Sequence, residues 1–204
     1  MAPAHEIALV ARGIYVWQAY STAVKADLGS SALATPKGLF LVDPIPLTRD
    51  ALRELTADHE IAGVIVTNEN HQRAASQLAL QFGVPVFADP AFQEADTPLR
   101  KPLSTAELNC PGLIAIAIPG APAGETALLY SADGGTLIIG DALINFEPHG
   151  FSLLPAKYCT DQQLMRQSLA QLLSFRFERI LLAHGTPVVA NAHSRLEQLL
   201  AGSA

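Results

Sequence analysis

Val64-Ile65-Val66-Thr67-Asn68-Glu69-Asn70-His71-Gln72-Arg73 is the stretch from which the architecture can be read. Its first three residues are β-branched and apolar without alternation, as expected of a strand buried on both faces. A polar run follows, and then Ala74, Ala75, Leu78, Ala79 and Phe82 fall on one helical stripe that Gly83 brings to an end. The unit is strand, polar loop, helix, with the polar residues at the strand's C-terminal end, where α/β proteins place their sites. Working outward, residues 7–11, 14–19, a stretch around 31–34 and residues 39–42 read as strands, parted by Gly13, Gly29 and Pro36-Lys37-Gly38. Thr48 caps a helix carrying Ala51, Leu52 and Leu55, and residues 84–88 form another strand. Downstream, residues 113–118 are apolar throughout, and residues 126–130 and 136–139 form a hairpin across Asp133-Gly134-Gly135. Thr160 and Gln163 have capping-box spacing before a helix with Leu164, Met165, Leu169, Leu172 and Leu173 inward. Residues 180–182 make a buried strand, and Asn191 opens a last helix using Leu196, Leu199 and Leu200. This order of types implies two sheets with helices outside, a single four-layer α/β/β/α sandwich over residues 1–204.

Composition narrows the function. Half of the 204 residues are hydrophobic and 16% are charged, which excludes a disordered chain. No apolar run reaches the roughly 18–20 residues of a membrane span, and the first residues lack a basic-then-apolar leader pattern, so a cytoplasmic protein is expected. Thirteen basic against 19 acidic residues give a net charge of −6, with no Lys/Arg cluster, which argues against nucleic acid as partner. Cys110 and Cys159 are too far apart for a clustered metal motif and read as reduced thiols. The composition permits a homodimer.

The motifs for a nucleophile elbow, a phosphate-binding loop, a dinucleotide fingerprint and a zinc-protease helix are all missing from the sequence. Four segments at strand ends do stand out: Thr67 to Arg73, Pro119-Gly120-Ala121-Pro122-Ala123-Gly124-Glu125, Gly140-Asp141 and His184-Gly185, with Leu41-Val42-Asp43-Pro44 upstream. Their order and spacing resemble the metallo-β-lactamase superfamily, whose corresponding patterns read T-H-x-H-x-D-H, P-G-H-T-P-G-S, G-D and H-G. The resemblance spans roughly residues 10 to 190 and implies the four-layer fold. Carried over position by position, the family's first two histidines fall on Asn68 and Asn70, its metal-binding aspartate on Gln72 and the next histidine on Arg73. The histidine of the second pattern falls on Ala121; the bridging aspartate and final histidine remain, as Asp141 and His184.

Five of seven ligand positions are thus substituted. Asparagine and glutamine offer a neutral carbonyl oxygen, weak for zinc, and alanine offers nothing. Arginine adds a permanent cation. The resemblance therefore implies a non-catalytic, metal-free pseudoenzyme. Its old cleft (Asn68, Asn70, Gln72, Arg73, Ala121, Asp141, His184) would bind a small-molecule or anionic ligand or serve regulation, without hydrolysing β-lactams, thioesters or phosphodiesters. The alternative is a hydrolase with an atypical mononuclear zinc or iron site built from His71, Asp141 and His184, with Glu69 as a further candidate. Against that alternative, His71 occupies a spacer position expected to face solvent. Asp43, Glu69 and Glu125 read as turn or solvated carboxylates, and His149 as a loop residue able to fold over the cleft mouth. With no ion to neutralise Asp141, Arg73 is expected to pair with it.

Overall fold

In the computed structural model, which describes residues 2–92, 99–148 and 150–202, the first seven strands form one sheet in sequence order. These are β1 (Ala8–Ala11), β2 (Ile14–Ser21), β3 (Ala26–Thr35), β4 (Gly38–Val42), β5 (Ile61–Ile65), β6 (Val86–Ala88) and β7 (Arg100–Pro102). The first four pair antiparallel through short turns; β4 to β7 run parallel. Parallel neighbours need a crossover, and helices α1 (Arg49–Leu55) and α2 (Ala75–Phe82) supply the crossovers before β5 and β6. A second sheet has the order β13 (Arg179–Leu182), β10 (Thr136–Ile139), β9 (Thr126–Tyr130), β8 (Leu113–Ala117). Helix α3 (Thr105–Leu108) links the sheets, a small hairpin of β11 (Leu143–Phe146) and β12 (Gly150–Leu153) follows β10, and α4 (Gln162–Gln171) and α5 (Ala192–Gly202) complete the chain.

Three buried apolar clusters correspond to the three interfaces of a four-layer sandwich. Ile14, Leu33, Phe40, Ile65, Leu128 and Ile138 belong to the cluster between the sheets. Leu55, Val64, Leu78 and Ala79 lie in the one under α1 and α2. Met165, Leu169, Leu196 and Ile180 lie in the one under α4 and α5. The layering is therefore α/β/β/α, as the sequence implies.

Local chemistry behaves as expected at most joints. Thr48 caps α1 through its side chain, and Gly83 closes α2 in the left-handed region at φ 66°. At α4 the cap differs: Asp161 accepts from Leu164 N at 3.0 Å, while the Thr160 hydroxyl turns to Ala121 O at 3.0 Å. An ionised carboxylate is the stronger partner for a helix N-terminus, and it displaces the expected capping box. The two sheets touch at one edge. Gly29 N donates to Ala183 O at 2.7 Å, and a β-carbon on Gly29 would sit 2.3 Å from Leu182 O, so only glycine allows this approach. That seam brings the C-terminal ends of β4 and β13 together. Among the described residues no helix is long and apolar enough to cross a membrane, and Cys110 and Cys159 are unpaired. His149 lies outside the described residues.

Candidate metal centre

Every polar residue of the cleft hangs from the C-terminal end of a strand or the loop after it: Asp43 after β4, Thr67 to Arg73 after β5, Glu125 after β8, Asp141 after β10 and His184 after β13. The segment after β5 departs from the sequence expectation. Asn68 caps a 3₁₀ turn spanning Glu69–His71, its Oδ1 accepting from Asn70 N at 2.9 Å. In a 3₁₀ turn residues i and i+3 eclipse, so His71 falls on the same side as Asn68 and enters the cleft. The solvent-facing placement expected for His71 is incorrect: the residue is 1% exposed.

Its ring is held at both nitrogens. Nδ1 lies 3.0 Å from Asp43 Oδ2 and 3.1 Å from Thr67 Oγ1. Nε2 lies 3.1 Å from Asp141 Oδ1 and 3.4 Å from His184 Nε2, and His184 Nε2 is 2.9 Å from that same Asp141 oxygen. The other oxygen, Oδ2, accepts from Asn68 Nδ2 at 3.1 Å and Asn70 Nδ2 at 3.3 Å. The Asn68 amide also donates to Glu125 Oε2 at 2.6 Å, and Glu125 accepts from the backbone N–H groups of Asp141 and Ala142. Asp43 accepts from Thr67 N at 2.8 Å and from the Thr67 hydroxyl at 2.6 Å. Asp43 and Glu125 are therefore buried, hydrogen-bonded carboxylates rather than the solvated turn residues expected from sequence. Glu69 is exposed on the turn and takes no place in the cluster.

Arg73 also departs from expectation. It does not pair with Asp141. Its guanidinium donates to the carbonyls of Gly29 (2.5 Å), Asp43 (2.9 Å) and Ala183 (3.4 Å), three backbone acceptors clustered at the seam between the sheets. The backbone at Arg73 is left-handed, φ 39°, which carries the side chain behind the cleft. Ala121 is buried in the loop before β9, and Gln72 is half-buried in the helical region just after the 3₁₀ turn.

Burial and charge act against each other here. Burial alone would lower the pKa of His71, but the Asp43 charge and hydrogen bonds to Asp141 and Asp43 raise it to about 9. Burial, reinforced by the Asp141 charge, pushes Glu125 up to about 7. Asp141 is held well below the usual carboxylate range, hydrogen bonds to His184 and His71 outweighing its burial. Asp43 is lowered too, by His71 and Arg73 against burial. Burial lowers the pKa of Arg73, opposed by the charges of Asp43 and Asp141.

Among the described residues, His71 Nε2, Asp141 Oδ1 and His184 Nε2 form a group whose ligand atoms all lie within 4.8 Å of one another. A family model described as the metallo-beta-lactamase superfamily matches residues 8–203. The chain belongs to the metallo-beta-lactamase superfamily. Solved structures agree on the fold. The DIM-1 metallo-beta-lactamase superposes with a TM-score of 0.74 at 11% identity, covering 98% of this chain and 97% of that one. A metallo-beta-lactamase from Erythrobacter litoralis gives 0.68 at 15% identity, covering 97% and 92%. An archaeal superfamily protein from Sulfolobus tokodaii gives 0.71 at 12%, covering 94% and 86%. A comparison with curated protein sequences finds no match.

The superfamily's metal chemistry meets two different answers in this chain. At the aligned ligand positions, Asn68 and Asn70 spend their amide nitrogens on carboxylates, Arg73 faces carbonyls and Ala121 has no donor, so a two-ion site does not fit there. The triad does fit one ion. Ligand atoms bound at about 2.0–2.1 Å in a tetrahedral shell stand about 3.3 Å apart, and the three separations here are 2.9, 3.1 and 3.4 Å. Sequence reasoning kept His71 only in the alternative reading, because a spacer position of the family's pattern is expected to turn away from the cleft. The signal that could have found it is an asparagine three residues ahead, able to cap a 3₁₀ turn.

Proposed function

We propose that this superfamily member is a metal-dependent hydrolase with a single-ion centre held by His71, Asp141 and His184. The observation that carries the reading is the convergence of two imidazole nitrogens and one carboxylate oxygen on one point of the cleft. Three protein ligands with a position left over is the pattern of a catalytic rather than a structural zinc site, and two histidines with one carboxylate also suit ferrous iron. Such an ion, when bound, supplies a Lewis acid and brings the ionisation of water toward neutral pH.

The chain's own residues divide the remaining work. Asn68 and Asn70 occupy Asp141 Oδ2, which leaves Oδ1 as the oxygen turned to both imidazoles. Asp141 stays ionised, so it brings a full negative charge to the centre. Asn70 is exposed at the rim, where its side chain is within reach of an incoming substrate.

Metal analysis of tag-free protein, stripped with a chelator and reloaded with zinc, tests the reading. One ion per chain in the native protein, lost in His184→Ala, is expected. The loaded protein should then hydrolyse at least one of a β-lactam, a thioester or a phosphodiester, with the turnover lost in Asp141→Ala. Failure to take up zinc, iron or manganese would overturn the proposal. A second reading, a metal-free cleft for a small ligand, is favoured by one observation: Asp43 and Asp141 are balanced by His71 and Arg73 without any ion. It expects no metal, and a thermal shift with a small-molecule probe set.

A further inference from the structure

We infer that Asp43 is the positioning residue that decides which nitrogen of His71 faces the Asp141–His184 pair. The inference deepens the single-ion reading and rests on it for its functional meaning, but its structural content stands on the balance of hydrogen-bond partners at the two ring nitrogens.

The Thr67 hydroxyl has one hydrogen. At 2.6 Å from Asp43 Oδ2, a carboxylate that can only accept, that hydrogen is committed to Asp43. Toward His71 Nδ1, 3.1 Å away, Thr67 Oγ1 can then only accept. Asp43 Oδ2, 3.0 Å from the same nitrogen, can only accept as well. Nδ1 therefore faces two acceptors, whereas Nε2 faces one, Asp141 Oδ1 at 3.1 Å, an oxygen that His184 Nε2 also approaches at 2.9 Å, so the single proton of the neutral ring belongs on Nδ1. In the neutral ring Nε2 is then the atom with the free lone pair, and it is Nε2 that points at Asp141 and His184. A carboxylate fixing the far nitrogen of a ligating histidine is how metal sites orient their imidazoles, at a typical cost of 10- to 100-fold in affinity when removed.

An isosteric change reverses the wiring. In Asp43→Asn the Oδ1 position must remain oxygen, because Thr67 N donates to it at 2.8 Å. The new amide nitrogen therefore occupies the Oδ2 position and becomes a donor toward Thr67 Oγ1 and His71 Nδ1. The Thr67 hydroxyl, released from Asp43, is free to donate to Nδ1 too. Both neighbours now offer hydrogens, Nδ1 must lose its own, and the proton moves to Nε2, which closes the atom that would bind a cation.

Nitrogen-15 NMR of the imidazoles in metal-free protein at about pH 10 reads the neutral tautomer directly, with the His71 signals assigned through their loss in His71→Asn. The wild-type chain should show Nδ1–H at His71, and Asp43→Asn should show Nε2–H. Zinc affinity, measured by competition with a chelating dye, should fall by roughly 10- to 100-fold in the variant. Nε2–H in the wild type overturns the inference without need of any variant, and so does an unchanged tautomer in Asp43→Asn. Equal zinc affinity in the two proteins also overturns it. If neither protein takes up zinc but the tautomer switches, the single-ion reading fails while Asp43's hold on His71 stands.

Discussion

Asn68 is fully buried and its side-chain amide joins two carboxylates, 2.6 Å from Glu125 and 3.1 Å from Asp141, while its carbonyl caps the turn that delivers His71. One residue thus separates two like charges and shapes the ligand loop. Asn68→Asp tests that role with almost no change in shape. It removes both amide hydrogens and sets a third carboxylate against Glu125 and Asp141, so its own pKa must rise on folding. A raised folded pKa means that stability is retained below the unfolded value of about 3.9 and lost as pH climbs through the folded one. Urea unfolding should find the variant destabilised by roughly 2 kcal/mol or more at pH 8, with the deficit shrinking toward pH 5. An equal deficit at both pH values would remove the charge argument. Which residue types line the cleft can be read from the sequence, since Asn68, Asp141 and His184 all sit where strands end. Their partners cannot: Glu125 lies 57 residues from Asn68 in the chain, and Asp43 lies 28 from His71. Side chains that look solvated in a one-dimensional pattern become buried through such contacts.

At the scale of elements, legibility follows length and period. Helices α1, α2, α4 and α5 carry an apolar stripe and strands β2, β4, β9 and β10 an apolar run set off by turn residues, and all are found within a few residues of their expected places. The three-residue strand β7, the four-residue helix α3 and the half-buried β11–β12 hairpin are short and lack such a run or stripe, and the sequence reading passes over them. The seam between β3 and β13 is also illegible from pattern, because it depends on three bare carbonyls meeting one guanidinium. Arg73 closes that seam from the cleft side by donating to Gly29, Asp43 and Ala183. Arg73→Met keeps much of the stem's packing and deletes every donor. We expect a loss on the order of 2–4 kcal/mol, since several charged hydrogen bonds go and their acceptors stay buried. The loss should be local before it is global. Hydrogen exchange at the Gly29 amide, which crosses the seam to Ala183 O, should accelerate well beyond exchange in β9 and β10. Uniform acceleration across both sheets would show that Arg73 stabilises the fold without holding the seam.

For the molecule as a whole, the layers follow from apolar patterning, because three separate clusters must each be covered and only a four-layer arrangement covers them all. The charge state of the cleft is what couples this scaffold to pH. In the metal-free protein, Glu125 is raised from 4.5 to about 7 and His71 from 6.5 to about 9. Both folded values lie above the unfolded ones, so each contributes stability that is complete below the unfolded pKa and gone once pH passes the folded one. Glu125 withdraws its share between about 4.5 and 7, and His71 between about 6.5 and 9. Asp43 and Asp141 are lowered, so their contribution is present above about 3.8 and is lost only in acid. The metal-free chain should therefore be most stable in mildly acidic solution. Its melting temperature should fall by roughly 5–10 °C between pH 6 and pH 9, at about 2–4 °C per kcal/mol for a chain of this size. On the proposed single-ion reading zinc should reverse the dependence, because a cation at the triad would compete with the proton on His71 and ligand binding adds stability in proportion to the logarithm of its occupancy. Scanning calorimetry with and without excess zinc should show little effect of the ion near pH 5.5 and a growing stabilisation toward pH 8. The same competition requires proton release on binding, visible as a dependence of the apparent binding enthalpy on the ionisation enthalpy of the buffer. A metal-free melting temperature that rises from pH 6 to 9 would refute the assigned charge states of His71 and Glu125. A zinc effect independent of pH would place the ion away from His71.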